Sequence, residues 1–545
     1  MDQHADANTQ LWKWIQKLNE VGCALSSEKN RARLLERILL SARELTSADA
    51  GTLYILEPDH VLRFAIVQND SLRISLGGTS EPVGERFPLI RLYRDNGEPN
   101  EHMVVAWAVL HDQIVNIPDA YDAQGFDFSG TRRFDASTGY RSRSFLTIPM
   151  KNHEGEIIAV LQLLNKKSQG QVVAFDTVDE AIAGSLASQA AIALTNQRLI
   201  EELRHLFDSF VQVIARGIDA KSPHTGTHCR RVPDATLLLA EAASRSQLAT
   251  LANFNPTDED YYEIRISAWL HDCGKIITPH HIMEKSTKLQ GLFDRIELIS
   301  ARFEILQRDL KIQYLQACLD AERKGVADPS YLQALEQHYQ TACAQLEQDL
   351  ALIRHCNTGQ EFTPDAVIER IQALAQQKWR NLLGHTRPLL EADEVENLSV
   401  RRGTLNARER KIMEDHMVVT LDMLDQLPFP KYLKNVPEYA GGHHERMDGR
   451  GYPKGLTREQ MSVPARIMGI ADVFEALTAP ERPYKQPMPL SQALSIMQRM
   501  VEDQHLDPDL FEVFVKDKVY LAYAKRHLHP SQIDVDHWPL EATAS

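Results

Sequence analysis

The sequence predicts a multidomain protein, with an N-terminal α+β sheet domain followed by an all-α domain that carries an inserted antiparallel coiled-coil hairpin. Three observations lead there. Strand-like apolar runs are confined to the first third of the chain. Helical periodicity takes over from Phe207. Within the helical part, two long stretches repeat an alternating three-and-four apolar step. A length of 545 residues exceeds what one hydrophobic core serves and suits two or three domains. The hydrophobic content of 43% and charged content of 25% are ordinary for a soluble globular protein.

Residues 11–49 read as helical, with Leu11, Ile15 and Leu18 opening an apolar face and Leu34, Leu35, Ile38 and Leu39 continuing it. Strand-like runs follow: GTLYIL from Gly51, LRFAIV from Leu62, FLTIPM from Phe145 and IIAVLQLLN from Ile157, the last two joined by a KNHEGE turn. From Asp176 to about Asp219 the pattern is helical again, with Ala190, Ala193, Leu194, Leu206, Phe210 and Ile214 at helical spacing and no proline before Pro223. Such a helix, with 201–222 as its connecting part, either links two domains mechanically or simply joins them. Leu289, Leu292, Ile296, Ile299, Phe303, Leu306 and Leu310 then step by threes and fours. KGVADPS from Lys324 breaks the run, and Leu332, Leu335, Tyr339, Ala342, Leu346, Leu350 and Ile353 resume it. That rhythm predicts a coiled-coil hairpin, placed within an insertion at 286–380.

The net charge of −15 repels polyanions and, without a dense basic stripe, argues against a nucleic-acid polymer as partner. A small anion remains compatible, because bound cations reverse the local field. Six cysteines at irregular spacing, with no CxxC pair, read as free thiols in a reducing compartment. The first residues lack a basic-then-apolar leader pattern, and no uncharged run approaches the roughly 20 residues that cross a bilayer. A cytoplasmic protein without membrane insertion is expected.

Chemistry concentrates in two places, HDCGK at His271–Lys275 and HHERMDGRGYP at His443–Pro453. With His224, His228, His416 and Asp472, these supply imidazoles and carboxylates. A single histidine on a helix is usually structural, but adjacent His271-Asp272 and His443-His444 are harder to dismiss. The donor set suits Fe, Mn, Zn or Ni. Two such ions about 3.5–4 Å apart clamp the attacking and leaving oxygens of a phosphoryl displacement.

The two motifs together resemble the HD-GYP family of the HD phosphohydrolase superfamily, whose members are bacterial cyclic di-GMP phosphodiesterases. The resemblance runs from about Phe207 to Phe514 outside the insertion, and the domain is placed at 207–525. It implies an all-helical domain holding two divalent ions, or three, most often iron or manganese. Residue by residue, it implies metal ligation by His228, His271, Asp272, His416, His443, His444 and Asp472, with Asp272 bridging. His224 stands where trinuclear members carry a glutamate, and could support a third ion or line the entrance; a dinuclear core is the expectation. Asp272 and Lys275 are implied as catalytic. Lys275, Arg482, Lys485 and the loop Gly451, Tyr452 and Pro453 are implied to contact substrate. The implied reaction is attack by a metal-activated hydroxide on a phosphodiester of cyclic di-GMP, giving pGpG and then GMP in some members. The alternatives are a catalytically silent module that binds nucleotide or partner, and an HD phosphohydrolase acting on another nucleotide, including a mixed cyclic dinucleotide.

Residues 15–200 resemble a GAF domain. The strand pattern, NIPDAY from Asn116 and IPMKNHEGEIIAVLQLLNK from Ile148 carry the likeness. Asn165, Lys166, Phe175, Asp179 and Glu180 match the NKxnFx3DE pattern of cyclic-nucleotide-binding GAF domains in eukaryotic phosphodiesterases. The resemblance implies a small-molecule or cyclic-nucleotide ligand and regulation of the hydrolase. The same residues also fit an internal Lys–Asp clasp in a domain that serves as a dimerising support. A homodimer is expected.

Overall fold

The structure is a computed structural model, and it describes residues 16–28, 30–84, 87–221, 227–381, 383–479 and 488–539. The expectations for Leu11, Ile15, His224, Arg482 and Lys485 fall outside the described residues. The chain forms two compact units, residues 1–206 and 207–545.

The first unit is built on an antiparallel sheet whose strands lie side by side in the order 74–77, 61–69, 48–57, 157–168, 145–151 and 115–117. The four anticipated runs are its long strands: β1 (Ala48–Glu57), β2 (Val61–Asn69), β6 (Phe145–Lys151) and β7 (Ile157–Ser168). The irregular middle contributes the short strands β3 (Ile74–Gly77), β4 (Ile90–Arg91) and β5 (Val115–Ile117), which carry too few residues for an alternation to show. A short β8 (Gln171–Val173) pairs with the end of β7.

Helices cover both faces of the sheet. Helix α1 (Arg31–Thr46) starts where the Asn30 side chain accepts the Arg33 N–H and ends at Ser47 in the left-handed region. Its Leu34, Leu35, Ile38 and Leu39 join Leu53, Leu146, Leu161 and Leu163 in one core. On the other face lie α2 (Val104–His111) and α3 (Ser129–Thr138). Central strands buried on both sides explain why β1 and β7 read as near-continuous apolar runs.

The NKxnFx3DE residues form an internal clasp. Lys166 Nζ meets Asp176 at 2.9 Å and also pairs with Asp179. The Asn165 side chain accepts the Arg143 N–H at 2.7 Å and donates to Arg141 O at 2.8 Å. Glu180 accepts the Asn116 amide at 2.7 Å, and Phe175 is buried in the core. The clasp ties the end of β7 to the start of α4 (Thr177–Lys221), a 45-residue helix whose first half completes the core through Ala183, Leu186, Ala187 and Ala190.

The second unit is helical around α5 (His228–Ser244), α6 (Asp258–Leu270), α10 (His416–Asp425), α11 (Val436–Gly441) and α12 (Val463–Thr478). Behind these lie α13 (Leu490–Glu502), α14 (Pro508–Lys516) and α15 (Val519–His527). Val232, Leu239, Ile467, Phe474, Phe514 and Tyr520 share its largest core. Between α6 and α10, α7 (Ile296–Arg323) and α8 (Pro329–Asn357) run antiparallel, with Tyr314 and Tyr339 stacked at 5.1 Å. The break falls where Asp328 caps α8 and Pro329 begins it.

Two details differ from the sequence reading. Leu292 lies before α7 and is 98% exposed, so it takes no part in the seam; the Asp294 side chain accepts the Ile296 N–H and delays the helix start. The core around Leu289, Ile299, Phe303 and Ile353 reaches past residue 380 to Leu389 and Leu398, because α9 (Asp365–Gln376) and a two-stranded ribbon, β9 (Lys378–Arg380) with β10 (Thr386–Pro388), close its base. Buried Lys288 fastens that base by donating to Thr363 Oγ1, Leu398 O and Val400 O. No helix among the described residues is long and apolar enough to cross a membrane.

Replacing Lys166 by Met should leave Asp179 buried without its cation and destabilise the first unit by about 3 kcal/mol, as for other broken buried pairs. The Arg198–Glu202 pair, exposed on both sides, should change stability by about 0.5 kcal/mol when Glu202 becomes Gln. Denaturant unfolding of both variants checks the contrast.

Candidate metal centre

Apart from Asp472, the site assembles at the ends of helices. His228 is the first residue of α5, and His271 terminates α6. Asp272 precedes the 3-10 turn Cys273–Ile277. His416 opens α10, His443 and His444 follow α11, and Asp472 sits midway along α12. Helix termini let these side chains project inward without disturbing intrahelical hydrogen bonds.

Donor atoms converge in two groups, Asp272 with His416, His443 and His444, and His228 with His271 and Asp472; within each group all lie within 4.8 Å of one another. Asp272 belongs to both by distance. Its Oδ1 is 3.4 Å from His416 Nε2 and 4.0 Å from His443 Nε2. Its Oδ2 is 3.4 Å from His228 Nε2 and 3.2 Å from His271 Nε2. His228 Nε2 also lies 3.1 Å from Asp472 Oδ1. Seven residues spread over some 240 positions thus meet in one buried pocket, the arrangement the sequence anticipated.

The donor set fits metal ions on three grounds. The Nε2 atoms of His228, His271, His416 and His443, and Asp272 Oδ1, are buried without a hydrogen-bond partner. Buried polar atoms are rarely left so, because desolvation without a partner costs about 1–3 kcal/mol each. The opposite ring nitrogens are tied down: His271 Nδ1 lies 2.8 Å from Ala268 O, His443 Nδ1 2.7 Å from Ala440 O, and His416 Nδ1 bonds Met413 O. A carbonyl only accepts, so each Nδ1 carries a hydrogen, and in the neutral ring Nε2 presents the lone pair. Finally, imidazole with carboxylate and no thiolate suits borderline divalent cations.

Sequence reasoning missed two carboxylates. Glu475, one turn beyond Asp472 on α12, is 1% exposed and hydrogen-bonds His228 Nδ1. It does for His228 what a main-chain carbonyl does for His271, His416 and His443. An i+3 glutamate after Asp472 was the available signal. Buried Glu445 accepts the N–H groups of Lys454 at 2.7 Å and Leu456 at 2.9 Å, which folds the loop after Gly451 back onto the site.

Two glycines permit the close approaches. A Cβ on Gly274 would lie 2.0 Å from His416 O, so only glycine lets the 3-10 turn press against α10 and bring Asp272 to His416. The Gly274 N–H donates to Thr420 Oγ1 at 2.9 Å in the same contact. A Cβ on Gly451 would meet the Glu445 backbone at 2.4 Å. Tyr452 stacks on His444, with ring centroids 4.8 Å apart. Lys275 Nζ meets Asp272 Oδ2 at 2.5 Å, so the ammonium rests on the central carboxylate.

Electrostatics divide the imidazoles. Burial alone would lower His271, but Asp272 and Asp472 overcome it and raise the ring to about 9. Burial, together with neighbouring His444 and His271, pushes His443 well below the usual imidazole range, and burial brings His444 down to about 4. Burial works against charge on Asp272, yet Lys275 and His271 hold it well below the ordinary carboxylate range.

The first unit holds a separate cavity of about 360 Å³, lined by Tyr54, Phe64, Phe128, Tyr140 and Gln162 among others. None of the five NKxnFx3DE residues lines it.

Residues 30–194 match the family described as GAF domain, and residues 392–510 the family described as HD domain. The second match includes His416, His443, His444 and Asp472; His228, His271 and Asp272 precede it and join through the fold. A 3'3'-cGAMP-specific phosphodiesterase 1 of Vibrio cholerae is 37% identical over 26% of this chain and 32% of its own length. A second, phosphodiesterase 3 of the same organism, is 38% identical over 21% of this chain and 24% of its own. A cyclic di-GMP phosphodiesterase of Thermotoga maritima is 32% identical over 22% of this chain and 32% of its own. The chain therefore spans about a third or less of the length of these curated relatives. It combines a GAF domain with an HD domain.

Two outcomes follow for metal loading. Glu475→Gln should weaken cation affinity about 10–100-fold, the usual effect of losing a group that orients a ligating histidine. Competition with a fluorescent chelator reads this directly. His271, raised to about 9, is protonated at pH 7 and must lose that proton to ligate. Loading should therefore release protons at pH 7, tighten as pH rises, and release none from this group well above 9. Calorimetry in buffers of different ionisation enthalpy measures the release.

Proposed function

We propose that this chain hydrolyses a phosphodiester bond of a cyclic dinucleotide at a centre of two divalent cations. The carrying observation is Asp272, whose two carboxylate oxygens face separate groups of imidazoles. One cation would be held by His228, His271 and Asp472, the other by His416, His443 and His444, with Asp272 between them. When bound, such a pair supplies a nucleophilic water near neutral pH and offsets charge on the phosphoryl oxygens.

The chain's own groups do the rest. Nδ1 hydrogen bonds fix the imidazoles, so the site needs little rearrangement on loading. Lys275 is the cation nearest the bridge. A phosphate drawn to the centre gives its ammonium an anionic partner other than Asp272, which makes Lys275 a phosphate contact and a charge stabiliser. Tyr452, braced on His444 and held by the loop that Glu445 folds, offers an aromatic face at the rim for a nucleobase. Arg482 and Lys485 are proposed as further phosphate contacts on the resemblance alone.

Cyclic di-GMP is the proposed substrate and linear pGpG the first product, with iron or manganese as the cation. A mixed cyclic dinucleotide is the second reading, favoured by the relatives named as 3'3'-cGAMP-specific. The aromatic-lined cavity of the GAF domain suits a small ligand that regulates turnover, provided the ligand binds two states unequally.

The test is chromatography of products after anaerobic incubation with Mn²⁺ or Fe²⁺ and each dinucleotide. Asp272→Ala should lose turnover and bound metal together. Lys275→Ala should slow turnover about 100-fold, the scale of one lost electrostatic contact, while retaining metal. Full metal content with near-normal turnover in Asp272→Ala would refute the centre. Loaded wild-type protein that binds but never cleaves either dinucleotide would make it a binding module.

A further inference from the structure

His271, His416 and His443 each offer Nδ1 to a main-chain carbonyl three residues back, but the three carbonyls are not equally supported. Ala268 and Ala440 belong to buried cores. Met413 belongs to the helix Ala407–Glu414, which buries none of its eight residues. A helix this short is marginal unless an apolar face packs onto something, so another contact has to hold it in place.

That contact comes from the base of the insertion. Lys285 Nζ, on a side chain 1% exposed, donates to Glu409 Oε1 at 2.8 Å and Oε2 at 2.6 Å, and to Asn397 Oδ1 at 2.8 Å. Glu409 is the third residue of the helix and closes its capping box with Asn406. Asn406 Nδ2 reaches the same Asn397 oxygen at 3.3 Å, and Thr404 Oγ1 donates to Lys285 O at 2.8 Å. Asn397 lies on the helix Ala392–Leu398, whose Leu398 is part of the core shared with α7 and α8. The ion pair is the strong link, a buried ammonium gripping both oxygens of one carboxylate.

We propose that the insertion acts through this pair on one half of the metal centre, with Lys285 and Glu409 as positioning residues that set where His416 presents Nε2. The line of contact runs from the insertion core through Asn397 and Lys285 to Glu409. It continues along one turn of helix, about 6 Å, and through Met413 O to His416. Resting on the two-cation centre proposed above, this gives the insertion a task there. His416 groups with His443 and His444, so the cation they hold depends on the pair. The cation of His228, His271 and Asp472 does not.

Competition of the full chain with a fluorescent chelator for Mn²⁺ counts the cations and measures their affinities without substrate. The wild type should hold two. Lys285→Met should weaken one about 10-fold, the lower end of what losing support behind a ligand costs, and leave the other unchanged. Glu409→Gln, which keeps the side chain's shape, should weaken the same one. Amide hydrogen exchange over 407–414 should quicken in both variants. Arg302→Met breaks a different buried pair of the same core, with Glu394, and should change neither affinity. In a His416→Ala background, Lys285→Met should cost the remaining cation nothing. Unchanged affinities in both Lys285→Met and Glu409→Gln overturn the proposal. So does equal weakening of both cations, or the same selective loss in Arg302→Met. A wild type that takes up no Mn²⁺ overturns the centre and this role with it, whereas one that loads two ions and cleaves nothing overturns only the assigned reaction.

Discussion

The second unit is organised around one buried carboxylate. Asp272 is 1% exposed, and four imidazoles and the Lys275 ammonium surround it. An isolated charge in such surroundings would shed its ionisation; the cationic and imidazole neighbours reverse that preference. Every local peculiarity of the fold serves this convergence. The α6 helix stops at His271, the 3-10 turn presses onto α10 through Gly274, and α12 carries Asp472 and Glu475 on one face, all to bring donors to a single carboxylate.

That organisation also separates structural from chemical roles among similar residues. Glu475 and Glu445 are about as buried as Asp272, but Glu475 commits Oε2 to His228 and Glu445 commits both oxygens to loop amides. His228, His271, His416 and His443 instead spend Nδ1 on a carboxylate or a main-chain carbonyl and leave Nε2 facing Asp272. The GAF domain repeats the lesson at lower stakes: Lys166 and Asp179 satisfy each other, so the motif that suggests a ligand is spent on fastening β7 to α4, and the aromatic cavity lies apart from it.

Helix α4 connects these themes. Its first half completes the core of the first unit, and its end contributes Val211, Ala215 and Ile218 to a core of the second.

Much was legible in the sequence because it depends on local chemistry. Short apolar runs marked the long strands, three-four spacing marked α7 and α8, and the adjacent pairs at His271 and His443 marked the donors. The short strands, the ribbon at 378–388 and the exposure of Leu292 were illegible, since each depends on a few particular hydrogen bonds and on too few residues to show a periodic pattern. By itself the sequence determined which residue types could ligate and which segments were helix or strand, because propensity and periodicity act over a few residues. Only the tertiary structure decided that the two oxygens of Asp272 face different imidazole groups, that Glu475 orients His228, and that the NKxnFx3DE residues clasp one another. Those facts rest on distances between atoms more than a hundred residues apart or on side-chain orientation, and burial makes each unsatisfied donor costly enough to enforce them.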